Sequence, residues 1–353
     1  MKARRRWIDY AQYLAVRLTA MVLGMFSLDT SLRTMRWLGG VWFALPHALP
    51  ETRIPASIAR LRFMGWSVRL SHLGNKLLHK FRQHRVRAED HIRESFPDLT
   101  AGEVSAIARS SMEQMAMLGV EVLMTPRRIT PWTWCRYIRL RRMDKALRVL
   151  LSSKGCIMLT GHYGNWELLG YTLAVLGFDI VAVMRPLDNP YINRYLLEQR
   201  EKSGLTLLEK KGASRSAGEV LANGGSLCFI ADQDAGRKGL FVDFLGRSAS
   251  TYKSIGLLAM EYEVPIVVGC ARRVGSKFSY EVRADRIIQP EEWRDRDDPL
   301  LWITQAFSRA LEKFILDVPG QYLWIHRRWK SKPKVRRVSD SATREYSPGK
   351  SSV

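Results

Sequence analysis

The sequence predicts an α/β fold: a mainly parallel central sheet flanked by helices, preceded by a helical, membrane-associating segment. From about residue 150, short apolar runs alternate with helical patterns, and such alternation favours a parallel sheet covered by helices. The first 50 residues combine apolar stretches with tryptophan and arginine, a composition that suits a membrane interface.

The predicted strands are short apolar runs, which the sequence places at Cys156–Thr160, Ile180–Met184, Leu205–Leu208, Leu227–Ala231 and Ile266–Cys270. The segments between them have helical spacing and are predicted as helices at Trp166–Leu176, Tyr191–Ser203, Ser214–Ala222 and Thr251–Tyr262. Further along, the pattern predicts an edge strand at Phe278–Val282, a helix at Pro299–Leu316 and a final strand at Tyr322–Ile325.

The chain carries a large excess of positive charge. It has 56 Lys and Arg residues against 34 Asp and Glu residues, a formal net charge of +22. Such an excess attracts nucleic acid, anionic lipid surfaces or acidic proteins. The sequence has no helix-turn-helix, zinc-finger or RNA-recognition signature. Its 11 tryptophans, many of them near basic residues, favour a membrane over a duplex groove.

The N-terminal apolar stretch Trp7–Phe26 is interrupted by Asp9, Gln12 and Arg17. Its uninterrupted part, Leu18–Phe26, is shorter than the roughly 20 apolar residues that a spanning helix needs. Three interpretations stay open: a tilted membrane helix, an amphipathic helix lying in the interface, and a buried helix pair of a soluble domain.

Four regions are predicted along the chain. Residues 1–50 form a membrane anchor or interfacial helices, and residues 51–150 form a helical region that packs on the core. Residues 151–329 form the α/β core. Residues 330–353 are rich in Lys, Arg, Ser and Pro, which predicts a basic disordered tail.

A candidate catalytic pair follows the first predicted strand, where His162 stands five residues before Glu167. Ligands of open α/β sheets bind at the carboxyl ends of strands, which is where His162 is expected. A carboxylate on one ring nitrogen would fix the tautomer and leave the other nitrogen free to accept a proton. The alternative is an ordinary surface or hydrogen-bonded pair. Glycines around His162 favour catalysis because they permit close approach of a substrate.

Arg185 follows the strand Ile180–Met184 and is therefore expected on the same rim of the sheet. A guanidinium there can hold a phosphate or stabilise a developing oxyanion. The alternative is a surface arginine paired with Asp188.

The residues after the strand Leu227–Ala231 include two acids, Asp232 and Asp234. Acids at this spacing can bind a divalent metal, but no further ligands stand nearby. A role in ordering the rim, or in bonding a polar headgroup, is preferred. The sequence predicts no metal and no cofactor. Downstream, Gly246–Thr251 is predicted as a loop that ends in a helix N-cap.

Two further observations concern partners and excluded chemistry. The segment Gln321–Lys330 mixes aromatic and basic residues, which suits a headgroup-level surface or the docking of an acidic carrier protein. The sequence has no Gly-x-Ser-x-Gly elbow, P-loop or Gly-x-Gly-x-x-Gly motif.

The chain resembles the bacterial lipid A biosynthesis acyltransferases, the late lauroyl and myristoyl family related to lysophospholipid acyltransferases. The resemblance rests on four blocks in the same order, residues 161–167, 185–190, 232–234 and 324–330. The first block holds the His-x4-Glu element, which alone is weakly specific. Four ordered blocks are far more specific.

The resemblance implies an enzyme bound to the bacterial inner membrane, with its core on the cytoplasmic side. It would move a fatty acyl chain from acyl carrier protein, or from coenzyme A, to a hydroxyl of a lipid A-type glycolipid. His162 would be the general base, Glu167 its partner, and Arg185 a ligand of the acceptor or of the reacting centre. The other substrate-binding residues implied are Asn165, Asp232, Gln233, Asp234, His326, Arg327 and Arg328.

Two alternatives remain at this stage. The same chemistry can act on another membrane glycolipid or on an aminolipid, and a non-enzymatic basic membrane adaptor would share the composition. Neither the donor nor the length of the acyl chain is predicted.

Overall fold

The computed structural model describes residues 6–48, 70–152, 154–209 and 213–333. The helices are α1 (Arg6–Gly24), α2 (Leu28–Ala48), α3 (Leu70–Ser95), α4 (Ala101–Arg128), α5 (Asp144–Leu150), α6 (Trp166–Val175), α7 (Pro190–Glu201), α8 (Ala213–Ala222), α9 (Lys253–Glu261) and α10 (Pro299–Asp317). The strands are β1 (Ile138–Arg141), β2 (Cys156–Thr160), β3 (Ile180–Met184), β4 (Thr206–Glu209), β5 (Ser226–Ile230), β6 (Leu240–Phe244), β7 (Arg247–Thr251), β8 (Ile266–Arg273) and β9 (Tyr280–Ile288).

Seven strands form one sheet in the order β1-β9-β8-β2-β5-β3-β4. All neighbouring pairs are parallel except β8 and β9, which are antiparallel. The central strand β2 is buried along its whole length. Ile157 and Leu159 enter one apolar cluster and Cys156 and Met158 the other, because alternate side chains face opposite sides of a sheet. The predicted mainly parallel α/β fold is confirmed.

The predicted strands in the centre of the sheet agree closely with the observed ones. β2 and β3 have the predicted bounds, and β4 and β5 differ from theirs by one residue. The prediction of a final strand at Tyr322–Ile325 is wrong. That segment contributes only an isolated bridge between Tyr163 and Tyr322, and its aromatic rings are buried in the core. The aromatic residues of this segment therefore indicate burial and not strand pairing.

Two other strand predictions need correction. β9 lies inside the sheet and not at its edge, because β1 pairs along its outer side; β1 also precedes residue 151. The predicted loop Gly246–Thr251 is largely strand β7, which pairs with β6 as a hairpin. α9 begins after it, and its N-cap residue Tyr252 makes no capping hydrogen bond through its side chain.

The N-terminal helices pack on one another and on the core. α1 contacts α7 and α4, and α2 lies along α4. A Cβ added at Gly39 of α2 would lie 2.7 Å from the Cα of Glu113, so the two helices approach closely because the residue is glycine. Among the helices within the described ranges, none is long and apolar enough to cross a membrane. Residues 334–353, most of the predicted tail, lie outside those ranges.

Candidate active site

Sheet topology brings two distant loops together at the carboxyl edge of the central strands. β2 and β5 are parallel neighbours, and their last residues, Thr160 and Ile230, are paired. The backbone N–H of Ala231 also donates to the carbonyl of Thr160 at 2.8 Å. Because both strands end at the same level, the second residue beyond each end lies beside the other. Those residues are His162 and Asp232.

Asp232 holds His162 through two hydrogen bonds. One carboxylate oxygen accepts from the backbone N–H of His162 at 2.8 Å, and the other lies 2.7 Å from its ring Nδ1. Asp232 is 1% exposed. Burial alone would raise the pKa of its carboxyl, but the His162 imidazole and its hydrogen bonds hold that pKa well below the usual value. An ionised carboxylate can only accept, so Nδ1 carries the hydrogen and Nε2 keeps its lone pair.

Three side chains surround the rest of the His162 ring. His326 stacks on it with ring centroids 4.7 Å apart, and Trp166 meets it edge-on at 4.8 Å. The amide nitrogen of Gln233 lies 3.5 Å from Nε2. Burial, together with the neighbouring His162, lowers the pKa of His326 to about 4. His326 is therefore neutral near pH 7, which leaves Asp232 free to stabilise a positive charge on His162.

The loop that carries His162 is fixed by close packing at Gly164. Gly164 has a positive φ of 60°, and a Cβ there would clash with the carbonyl oxygen of Ala271, so the position requires glycine. Its N–H donates to Gln321 at 3.0 Å, and the carbonyl of His162 accepts from Leu323 at 3.0 Å. The loop is thereby held between β8 and the C-terminal segment.

Asn165 is committed to protein partners. Its side-chain oxygen accepts from Leu168 N–H at 3.0 Å as the N-cap of α6, and its amide donates to Glu121 at 3.0 Å. Glu121, fully buried in α4, also pairs with Arg273 and accepts from the hydroxyl of Tyr280 at 2.5 Å. A buried carboxylate is tolerated only when such partners satisfy it, so this network attaches the active-site loop to α4 and β8.

Glu167 has a different partner from the one that the spacing predicted. Both of its carboxylate oxygens accept from Arg200 of α7, at 2.6 and 2.9 Å. The carboxylate that occupies Nδ1 of His162 belongs to Asp232. The expected contact between Glu167 and the imidazole is therefore replaced by a two-pronged ion pair between α6 and α7.

A cavity of about 100 Å3 lies beside this ion pair, between the sheet and α6. Its wall includes Trp166, Glu167 and Arg200, and it reaches Thr160 and Ile230 at the ends of β2 and β5. The rest of its lining is almost entirely apolar: Met158, Leu159, Leu169, Gly170, Ala182, Val183, Met184, Leu205, Leu207, Cys228 and Phe229. An apolar cavity with a few polar groups at one end suits a ligand with an apolar tail.

The C-terminal segment is fastened to the loop after β5. Arg328 is 1% exposed and donates to the carbonyls of Gln233 and Ser250 at 3.3 and 2.6 Å. Asp234 accepts from the N–H and the hydroxyl of Ser331 at 3.1 and 3.0 Å. These bonds hold His326, which lies in the same segment, over His162.

The described part of the chain holds no group of three or more His, Cys, Asp or Glu side chains that could bind a metal ion. The two acids considered for a metal have protein partners: Asp232 bonds His162, and Asp234 bonds Ser331.

The predicted site residues divide into three groups. Those that gather around the imidazole are Asp232, Gln233 and His326. Those bonded to protein groups away from it are Asn165, Glu167, Asp234 and Arg328. Those that are exposed are Arg185 and Arg327.

Two residues that hold this site together, Arg200 and Glu121, were not predicted from the sequence. Arg200 is one of several arginines in an amphipathic helix, and nothing in the pattern separates it from the others. Glu121 carried a usable signal, because an acid in the apolar part of a helix needs a buried partner.

The fold and site define an α/β protein with a histidine–carboxylate pair at the carboxyl edge of the sheet and an apolar cavity linked to it through Trp166, an arrangement suited to reactions of acyl groups. The sequence model of a family described as bacterial lipid A biosynthesis acyltransferase matches residues 55–331. The chain belongs to this family, and it is an acyltransferase.

Several characterised relatives are similar over much of the chain. The lipid A biosynthesis lauroyltransferase of Escherichia coli K12 is 25% identical over 245 residues, 68% of this chain and 76% of the relative. The palmitoleoyltransferase of lipid A biosynthesis from the same bacterium is 23% identical over 305 residues, 84% and 92% of the two chains. A phosphatidylinositol mannoside acyltransferase of Mycolicibacterium smegmatis is 28% identical over 123 residues, 34% of this chain and 40% of the relative.

Proposed function

We propose that the enzyme transfers a fatty acyl chain from a thioester donor, on acyl carrier protein or coenzyme A, to a hydroxyl of a lipid A-type glycolipid precursor. The observation that carries the proposal is the His162–Asp232 pair. Asp232 occupies Nδ1 at 2.7 Å, so Nε2 is the basic nitrogen. Trp166, whose ring meets His162 edge-on, also lines the apolar cavity.

The reaction needs one proton transfer and no covalent enzyme intermediate. Nε2 of His162 takes the proton of the acceptor hydroxyl as its oxygen attacks the thioester carbonyl carbon. The C–S bond then breaks, and the imidazolium returns the proton to the departing thiolate. The carboxylate of Asp232 stabilises the imidazolium between these steps. A positioned base of this kind contributes about 10²- to 10⁴-fold, and Gln233 must leave Nε2 when the hydroxyl binds.

The cavity on the α6 side of the sheet is the proposed site of the acyl chain. Its apolar lining favours a hydrocarbon because burying apolar surface is stabilising, at roughly 25 cal/mol per Å2. The Glu167–Arg200 pair braces its polar end. Arg185, exposed after the end of β3, and Arg327, exposed next to His326 in the chain, remain the proposed ligands of the glycolipid headgroup.

Membrane association is proposed through α1, whose outer face is an apolar stripe. Trp7, Tyr10, Leu14, Leu18 and Met21 follow one another at helical spacing and are 48–62% exposed. A stripe of this size exposed to water is unfavourable, whereas in the interface of a bilayer it is stabilising. α1 packs on α7, which also carries Arg200. The proposed location is the cytoplasmic face of the bacterial inner membrane.

The charge of the chain suits both proposed substrates. A net charge of +22 attracts an acidic carrier protein and an anionic lipid surface alike. The similarity to phosphatidylinositol mannoside acyltransferases over 123 residues keeps a second acceptor open, another membrane glycolipid with the same kind of hydroxyl.

The first experiment compares the lipids of a deletion strain with those of the same strain carrying the wild-type gene or the His162→Ala gene. Mass spectrometry should reveal an under-acylated glycolipid in the deletion strain. Wild type should restore the missing acyl group, whereas His162→Ala should not. An unchanged glycolipid profile in all strains would overturn the proposal, and a changed non-glycolipid species would redirect it to another acceptor.

The second experiment tests the α1 stripe by sedimentation with phosphatidylglycerol vesicles. Leu18→Asp should weaken binding about 10-fold or more, since it replaces one leucine that would enter the bilayer interface with a charged group. The matched control is Leu151→Asp, because Leu151 is 75% exposed and lies at the opposite edge of the sheet. Equal binding of both variants would show that the stripe is not the membrane-binding surface.

A further inference from the structure

The structure contains a second concave surface on the other side of the C-terminal segment from His162, here called the α3 groove. It lies between Arg82, Arg87 and His91 of α3 and the residues Arg247, Trp329 and Lys332, and has a volume of about 580 Å3. No step of the proposed reaction uses it.

The groove adjoins the catalytic centre through the C-terminal segment. The His91 ring packs edge-on against Trp329 at 4.9 Å, and its Nδ1 lies 3.0 Å from the carbonyl of Trp324. Arg87 donates to the carbonyl of Ile325 at 3.3 Å. The next residue along the chain is His326, which stacks on His162. The C-terminal segment therefore contacts the groove on one side and the imidazole on the other.

Positive charge in this region exceeds negative charge. The two acids at the groove, Asp90 and Glu94, are paired with Arg93 and Arg247. Arg87 contacts a neutral carbonyl.

Neighbouring cations lower the pKa values of Arg87 and of the His84 imidazole. Burial and the charge of Arg327 lower the pKa of Arg87. Burial and the charges of Arg87, Lys80 and Arg327 lower the pKa of His84. Like charges held together in this way favour an anionic ligand.

The shape of the groove selects among anions. The groove is concave and large enough to hold a sugar. An acidic carrier protein instead needs a broad contact surface of roughly 800 Å2 per partner. Arginine guanidinium groups bind phosphate oxygens through paired hydrogen bonds, and the neighbouring histidines can supply further donors. A phosphate on a sugar headgroup meets these conditions.

We propose that the α3 groove binds a phosphate group of the acceptor lipid, which sets the position of the acceptor hydroxyl against His162. This inference rests on the proposed function, since it names the part of the acceptor that the enzyme recognises. The main phosphate ligands would be Arg87, which lines the groove, and Arg327, which lies outside its lining but whose positive charge acts on Arg87. Both would act on acceptor binding and not on the proton transfer.

The test measures acyl transfer to a phosphorylated glycolipid acceptor and to the same acceptor after phosphatase treatment. Arg87→Ala and Arg327→Ala should each raise the KM for the phosphorylated acceptor about 10- to 100-fold, the range expected for a hydrogen bond to a charged group. The KM for the thioester donor and for the dephosphorylated acceptor should stay unchanged. Arg327 is exposed, so its variant should fold even if Arg87→Ala does not.

The matched control is Arg148→Ala. Arg148 lies in another basic groove of about 580 Å3, which is lined by Lys145, Lys154 and Arg294 at the opposite edge of the sheet. This variant should behave as wild type with both acceptors. Equal losses on both acceptors, or a raised KM for the donor, would overturn the proposal and favour carrier docking instead.

A binding measurement separates this inference from the proposed function. NMR signals of the histidine rings are followed in the full-length protein as glucosamine 6-phosphate is added, with glucosamine as the comparison. The phosphosugar alone should raise the pKa of His91 and His84, and Arg87→Ala should abolish the change. No response to the phosphosugar would refute the subsite even in an active enzyme. A response in an enzyme that transfers no acyl group would retain the subsite and refute the proposed reaction.

Discussion

Two carboxylates near His162 lie in contrasting regions of the molecule. Asp232, in the loop after β5, is 70 positions away along the chain, yet it bonds the imidazole and is 1% exposed. Glu167, in the first turn of α6, is only five positions away, yet it pairs with Arg200 and its side chain is 26% exposed. The register of parallel strands, and not distance along the chain, therefore selects the partner of the imidazole.

The local reason lies in how α6 begins. Asn165 caps the helix, which makes Glu167 the second helical residue. A carboxylate in the first turn is favoured by the helix dipole, and Arg200 of the neighbouring helix α7 supplies a two-pronged partner. Asp232 instead follows a strand that is paired with β2 along its whole length. One carboxylate thus serves the proton transfer, while the other braces the wall of the cavity.

The largest expected effect follows from Asp232→Asn. The amide cannot stabilise an imidazolium and can favour the wrong tautomer, so kcat should fall about 10²- to 10⁴-fold. Transfer of a labelled acyl group measures this loss. The control, Asp179→Asn, makes the same chemical change in an exposed residue at the opposite end of β3 and should retain full activity. Wild-type turnover by Asp232→Asn would remove Asp232 from the mechanism.

Glu167→Gln should lower kcat less, by about 10- to 100-fold, which corresponds to the loss of one hydrogen bond to a charged group. If Glu167 acts through Arg200, then Glu167→Gln combined with Arg200→Gln should cost about as much as either change alone. The competing result is non-additivity between Glu167→Gln and Asp232→Asn, with Arg200→Gln simply adding to either. That outcome would return Glu167 to the role of imidazole partner, as the His-x4-Glu spacing predicted.

The same contrast explains how much of the molecule the sequence could predict. β2 and β3 are almost continuous apolar runs, so the sequence predicted their bounds. The edge strand β1 was missed because Arg139 and Arg141 interrupt its apolar pattern. β6 and β7 form a hairpin outside the main sheet, and a short polar run such as Arg247–Thr251 carries no strand signal.

The site was predictable residue by residue but not pair by pair. His162 and Asp232 both follow apolar runs, which placed them on one rim of the sheet. The sequence does not reveal the strand order, in which β5 lies between β2 and β3. Only that order puts Asp232 on the imidazole. Arg200 was out of reach for the same reason, since its position depends on how α7 packs beside α6.

Acid should destabilise the fold through the groups around His162. The pKa of His326 is lowered to about 4, whereas an unfolded histidine titrates near pH 6.5. As pH falls below about 6.5, the unfolded chain binds this proton first, so the free energy of unfolding decreases until about pH 4. The pKa of Asp232 is also depressed, and its stabilisation is lost only below about pH 4.

Urea unfolding at pH 7 and pH 5 measures this effect, which should be about 1–2 kcal/mol. His326→Phe keeps a ring stacked on His162 and removes the titrating group, so its stability should change less between the two pH values. An identical pH dependence in wild type and His326→Phe would assign the acid sensitivity to other groups.

The smallest expected effect is that of Asp234→Asn, which sharpens the contrast within a single loop. Asp234 bonds Ser331 and the N–H of Gly236 but not the imidazole. The change should lower the free energy of unfolding by about 1 kcal/mol and reduce kcat less than about 10-fold, far less than Asp232→Asn. Denaturation and the transfer assay measure both quantities. A KM for the acceptor raised as strongly as in Arg327→Ala would instead make Asp234 a direct ligand of the headgroup, since loosening of the C-terminal segment alone would act on stability first.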